Sequence, residues 1–132
     1  MNDYVIDASA LVLALAGKTA SARTLRGRLS DMRRHAPHLI DAEVGNVLRR
    51  QEQAGRISTG EADTALRVAA ALVHYRYPHT GPLARRAWTL RHNVSFYDGL
   101  YIALASYLDV PLLTADARLS KASGLTCQTE LV

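Results

Sequence analysis

Four acids spaced widely along the chain, Asp7, Glu43, Asp98 and Asp116, stand either where an extended run gives way to a helical one or in a first helical turn. In a parallel α/β sheet, strand carboxyl ends and the helix amino ends that follow them share one edge, and ligands bind there where the strand order reverses. All four acids are therefore expected on that edge. Carboxylates gathered in one crevice repel one another, and helix dipoles offset only part of the repulsion. A divalent cation resolves the conflict. Oxygen donors without Cys or His select Mg²⁺, with Mn²⁺ as a substitute, over Zn²⁺. The chemistry that follows is metal-assisted hydrolysis.

Each acid alone has a plainer explanation. Asp is favoured at helix N-caps, and any first-turn carboxylate gains from the helix dipole by roughly 0.3–1 kcal/mol. Asp7 and Asp116 fit that description, and Ser95-Phe96-Tyr97-Asp98 matches a loose capping box. Glu43 and Asp98 strain it, because both sit among apolar neighbours where any polar residue would serve as a cap. Asn46 follows Glu43 by about one turn on the same helical face, placed to orient that carboxylate or a bound water. Ser9, two residues past Asp7, is placed to do the same, and Thr114 at the end of the strand before Asp116 completes the supporting set.

The elements that must position these residues are legible in outline. A β-branched and aromatic run, residues 4–6, ends on Asp7, and a helix over 10–16 stops at Gly17. Helical content continues over 19–30. Arg33-Arg34-His35 leads into an extended segment at 36–40, after which Asp41 is placed to cap a helix over 42–54. Ser58-Thr59-Gly60-Glu61 forms a capping box for a helix through Val73. Residues 75–77 read as a short strand, and Gly81-Pro82 opens a helix through His92. The stretch from Gly99 to Leu108 is nearly all apolar or small, so its helix is expected to be covered on most sides. A strand at 110–114, a helix at 117–123 and a last strand near 126–129 close the pattern. Short buried strands alternating with helices predict one α/β domain over residues 1–132 with a parallel sheet.

Composition bounds the rest. A chain of 132 residues, 48% hydrophobic, builds a core without disulfides or structural metal. Its one cysteine, Cys127, has no internal partner, which fits a reducing cytoplasm. The apolar run 8–16 is too short to span a membrane and is preceded by Asp3 and Asp7 rather than basic residues, so the chain is expected to be soluble and unexported. The formal charge is +4, carried mostly by arginine, with Lys18 and Lys121 the exceptions. With four acids set aside at one site, the remaining surface is strongly basic and suited to an anionic partner. Arg49, Arg50 and Arg56, with Arg85, Arg86 and Arg91, are candidates to track phosphates, although a solvated face explains any one of them equally well. No ladder of aromatics is legible. His35, His38, His74, His79 and His92 lack ligand spacing and read as surface residues, and Trp88 reads as core.

The segments V-I-D-A-S, D-A-E-V-G-N-V-L, Y-D-G-L-Y-I-A-L-A and L-L-T-A-D-A-R-L resemble, in order and spacing, the PIN-domain ribonucleases and among them the VapC toxins of VapBC toxin–antitoxin pairs. The likeness spans essentially the whole chain. It implies a three-layer α/β/α fold around a central, mostly parallel five-stranded sheet. It implies Asp7, Glu43, Asp98 and Asp116 as catalytic metal-binding acids with Ser9 and Asn46 as helpers, an RNA substrate, a VapB-type antitoxin that lays a basic tail across the crevice, and usually a homodimer. Gly99 departs from the pattern, since relatives commonly carry Ala there. A phospho-acceptor domain would need a Lys after its last strand, and a haloacid-type phosphatase an Asp-x-Asp after its first, where this chain has Asp7-Ala8-Ser9. A binding-only relative that regulates by sequestering its partner is the remaining alternative.

Overall fold

The computed structural model describes residues 2–132. Five strands, β1 (Asn2–Ile6), β2 (Met32–Pro37), β3 (Tyr75–Tyr77), β4 (Leu112–Thr114) and β5 (Thr129–Leu131), form one sheet in the order β3-β2-β1-β4-β5. Every pairing is parallel, so the sheet is parallel throughout. Seven helices flank it: α1 (Ala8–Ala16), α2 (Ala20–Arg28), α3 (Leu39–Gln53), α4 (Thr59–Leu72), α5 (Pro82–Thr89), α6 (Phe96–Leu108) and α7 (Ala117–Ser120). The order runs 1-2-3 one way from β1 and 4-5 the other, which places the topological switch between β1 and β4.

The core is centred on α6. Gly99 to Ala105 are all buried, because α6 packs against α5 on one side and against β1, β2 and β4 on the other. Burying Leu100, Ile102 and Leu104 contributes roughly 1.5–3 kcal/mol each. The helix returns the chain to the start of β4, so it runs against the strands and its first turn, with Asp98, lies at their carboxyl edge. A Cβ on Gly99 would come within 3.1 Å of the Ala87 carbonyl oxygen and 3.2 Å of its Cβ. The close approach of α5 to α6 accounts for glycine at this position.

Several boundaries differ from the sequence expectation, each for a tertiary reason. The second strand covers Met32–Pro37 rather than 36–40, and so includes Arg33, Arg34 and His35. The Arg34 guanidinium is buried and donates to the carbonyls of Leu72, Leu29 and Met32. His35 is likewise buried instead of lying on the surface. Its ring nitrogens bond Asp3 Oδ1 at 2.7 Å and the Tyr77 hydroxyl at 2.8 Å. The next helix therefore begins at Leu39. Asp41 lies inside its first turn rather than capping it, and pairs bidentately with Arg76.

Helix α5 stops at Thr89, and α7 at Ser120. The fourth strand spans only Leu112–Thr114, and β5 lies at Thr129–Leu131 rather than 126–129. The Thr126 hydroxyl is engaged with Ser106 on α6 at 2.5 Å instead. Trp88 is 57% exposed and not in the core, because Leu83, Ala87 and Leu90 form the inward stripe of α5. Among the described residues no helix is long and apolar enough to cross a membrane.

Candidate active site

Asp7 leaves β1 at the switch point and caps α1. Its Oδ1 accepts from the Ala10 amide at 2.9 Å and from the Ser9 hydroxyl at 2.6 Å. The Ser9 oxygen in turn accepts from the Ala115 amide at 2.9 Å and lies 3.3 Å from the Thr114 hydroxyl. Thr114, fully buried, accepts from the Asp116 amide at 3.0 Å. Ser9 and Thr114 thus tie the ends of β1 and β4 together and fix the backbone from which Asp7 and Asp116 project. Asp116 caps α7 through the amides of Arg118 and Leu119 and meets the Arg118 guanidinium at 3.3 Å. The capping and site roles are compatible, since each carboxylate has more than one lone pair to offer.

The other two acids come from helices. Glu43 projects from the second turn of α3, and its Oε1 accepts from the Tyr101 hydroxyl at 2.7 Å. Asp98 stands at the third position of α6, whose N-cap Ser95 accepts from the Asp98 amide at 3.1 Å.

The electrostatics join the four. Burial, reinforced by Asp98, raises the Asp7 carboxyl above the ordinary carboxylate range against the pull of Ser9, Thr114 and Ala10. Burial raises Glu43 too, with Asp98 and Asp7 adding to the rise and Tyr101 and Arg50 opposing it. Asp98 is raised by burial and by Asp116, with Ser95 and Arg118 opposing. Asp98 thus acts on Asp7 and Glu43, Asp7 on Glu43, and Asp116 on Asp98. As the side chains stand, no group of three or more carboxylate, imidazole or thiol side chains among the described residues is placed to hold a metal ion. The acids share a field rather than a finished coordination shell. Their donor type, oxygen throughout and held in like-charge repulsion, fits a hard divalent cation.

The supporting residues sort differently from the sequence expectation. Ser9 and Thr114 lie within the hydrogen-bonded mesh. Asn46 does not bond Glu43; its Oδ1 accepts from Arg49, which also reaches Gln53. Tyr101 takes the orienting place. It sits three residues beyond Asp98, on the same helical face, and that spacing was the signal available in the sequence. Of the arginines, Arg50 acts on Glu43 and Arg118 on Asp98. Arg86 lies over the Tyr107 ring, more than two turns along α6 from Asp98, and Arg85 adjoins it. A concavity of about 860 Å³ between α1, α2 and α4 contains none of the four acids. Charge, not size, marks this site.

The PIN-domain family profile matches residues 4–125. The chain belongs to the PIN-domain family. Across all 132 residues this PIN domain is 54% identical to ribonuclease VapC1 of Mycobacterium tuberculosis, covering 99% of that protein. It is 40% identical over 128 residues to ribonuclease VapC9 of the same organism, with 97% of each chain covered. The fold is similar to that of VapC20 of M. tuberculosis, described as a sarcin–ricin loop cleaving toxin, at a TM-score of 0.68, 18% identity and 92% and 95% coverage. It is also similar to a chain of VapBC2 from Rickettsia felis bound to a promoter DNA fragment, at 0.69, 12% identity and 98% coverage of both.

Proposed function

We propose that this PIN domain is an endoribonuclease, the toxin of a type II toxin–antitoxin pair, which hydrolyses RNA phosphodiester bonds and thereby arrests translation and growth. The observation that carries the reading is that Asp7 at the switch point of a parallel sheet, Glu43 on α3 and Asp98 in the first turn of α6 come near enough for Asp98 to raise Asp7 and for Asp98 and Asp7 to raise Glu43. The full-length likeness to ribonucleases supports the same reading. Asp7, Glu43, Asp98 and Asp116 would hold Mg²⁺, or Mn²⁺ in its place. Bound there, the cation supplies a water of lowered pKa and neutralises charge on the phosphate.

The chain's own part is placement. Ser9 and the Ala10 amide fix Asp7 Oδ1. Tyr101 holds Glu43 Oε1 and leaves Oε2 available. No side chain need act as a nucleophile, and in-line attack by water leaves a 5′-phosphate and a 3′-hydroxyl. A VapB-type antitoxin with a basic tail complements the acidic edge. We place the activity in the cytoplasm, with the protein as a homodimer or a toxin–antitoxin hetero-oligomer. Sequestration without cleavage has no observation in its favour, because all four acids are intact.

Incubation of RNA with the purified protein in Mg²⁺, in EDTA, and with Asp98→Asn tests the proposal. Expected are 5′-phosphate ends in Mg²⁺ alone, and a rate loss of several orders in the variant, because a misplaced ion misplaces its water. Undiminished cleavage in EDTA would overturn it.

A further inference from the structure

Beside Asp98 lies a hollow of about 400 Å³, lined by Arg91, His92, Asn93, Ser95, Asp98 and Arg118 among others. It is a built feature. The turn that follows α5 is pinned by the amides of Arg91, Asn93 and Val94, which donate back to Trp88 and Leu90 carbonyls. Gly124, at φ 75°, passes so close to Asn93 that a Cβ would sit 2.9 Å from Asn93 Nδ2. Any other residue there would crowd the Asn93 amide.

Trp88, 57% exposed, adjoins the hollow through Arg91. The Arg91 guanidinium sits 4.5 Å from the indole centroid, and its Nη1 donates to the Trp88 carbonyl at 2.9 Å. Arg118 reaches toward Asp116 and offsets part of the rise in Asp98. Asp98 therefore borders the hollow, Arg91 and Arg118 form its walls, and the exposed Trp88 ring adjoins it through Arg91. A cationic groove next to an exposed ring is the chemistry of single-stranded nucleic acid, in which phosphates meet guanidinium groups and an unpaired base stacks.

We propose that this hollow seats the RNA nucleotide next to the cleaved phosphodiester, with Arg91 and Arg118 on backbone phosphates and a splayed base on Trp88. The inference rests on the nuclease reading above and adds to it a strand-positioning subsite. It also sets the strand's direction of approach, along the α5–α6 turn rather than past Arg85 and Arg86.

Trp88 is the chain's sole tryptophan, so its emission reports on this subsite alone. The probe is a short single-stranded 2′-O-methyl RNA, which cannot be cleaved, titrated in EDTA. Saturable quenching of Trp88 is expected. Arg91→Ala and Arg118→Ala should weaken binding and reduce the slope of log affinity against log salt by about 0.7 each. Trp88→Leu, read by anisotropy of labelled RNA, should lose about tenfold in affinity, with Trp88→Tyr restoring most of it. Binding of the single strand without a change in Trp88 emission overturns the proposal. So does equal quenching by inorganic polyphosphate, which has no base to stack. If the Trp88, Arg91 and Arg118 variants cleave RNA in Mg²⁺ like the parent while Asp98→Asn does not, the subsite is wrong and the nuclease reading stands. If Trp88 responds as expected but no RNA is cut, the hollow binds single strands and both the nuclease reading and the hollow's place beside a cleaved bond fail.

Discussion

The Tyr101 hydroxyl donates to Glu43 Oε1 across 2.7 Å, joining the most deeply buried helix to α3 at the carboxyl edge of the sheet. Tyr101 is only 1% exposed, so its phenol has little else to bond. Burial and the neighbouring acids hold its proton on well above the usual tyrosine range, which keeps it a donor at every working pH. Glu43 is thereby fixed as an acceptor with one oxygen committed.

Tyr101→Phe should accordingly leave the fold intact and loosen Glu43. An outer partner of this kind is worth about 10–100-fold in metal affinity or activity. Cleavage rates measured against Mg²⁺ concentration should show a higher metal requirement, with stability lower by about 1 kcal/mol. A variant with the parent's metal requirement would show that Glu43 needs no such support.

Asp7, Glu43 and Asp98 have raised folded-state pKa values, so between the unfolded and folded values the native state binds more protons. Stability without metal should therefore fall as pH rises from roughly pH 4 through the folded values, and the loss persists at neutral pH. Asp98→Asn and Glu43→Gln should each be more stable than the parent at neutral pH without metal and show a shallower fall. Asp7→Asn keeps an oxygen to accept from Ala10 and should behave alike. Urea midpoints across this range check the sign. A collapse of the Asp98→Asn midpoint at every pH would mean that the acid serves only its helix.

Arg34 and His74 predict a second pH effect of opposite sign. His74 Nδ1 accepts from the Arg34 amide at 3.0 Å, which requires that nitrogen to be unprotonated. Burial, then Arg34, His35 and Arg33, lower its pKa, so the unfolded state binds the proton first. This contribution is present above roughly pH 6.5 and is lost as pH falls through the folded value. His74→Asn retains an acceptor and should remove that part of the dependence. Arg34→Ala, by orphaning three carbonyls, should cost at least about 3 kcal/mol in denaturant unfolding.

Gly99→Ala gains about 1 kcal/mol of helix propensity but drives a methyl against the Ala87 backbone, where overpacking costs about 1–3 kcal/mol. A net loss of up to about 2 kcal/mol is expected in thermal or urea unfolding. Cleavage should fall as well, because the displaced first turn carries Asp98.

The sequence by itself determined the strand–helix alternation, the buried character of α6, and the placement of Asp7, Asp98 and Asp116 at a strand end or a first helical turn, because these follow from local periodicity and from where a strand meets a helix. Its reading of Arg33-Arg34-His35 as a lead-in failed because charge normally argues against a central strand. Only the folded chain supplies the carbonyls, Asp3 and Tyr77 that satisfy those side chains. The partner of Glu43 was likewise a tertiary matter. Asn46 is near in sequence, yet the hydroxyl that reaches the carboxylate belongs to Tyr101, 58 residues away. Trp88 followed the same rule, since neighbours on α6 decided which face of α5 turned inward. Spacing along the chain fixes which residues share a helix face or a strand end, whereas the distance between two elements, and so which side chains meet, is set by how the helices pack on the sheet.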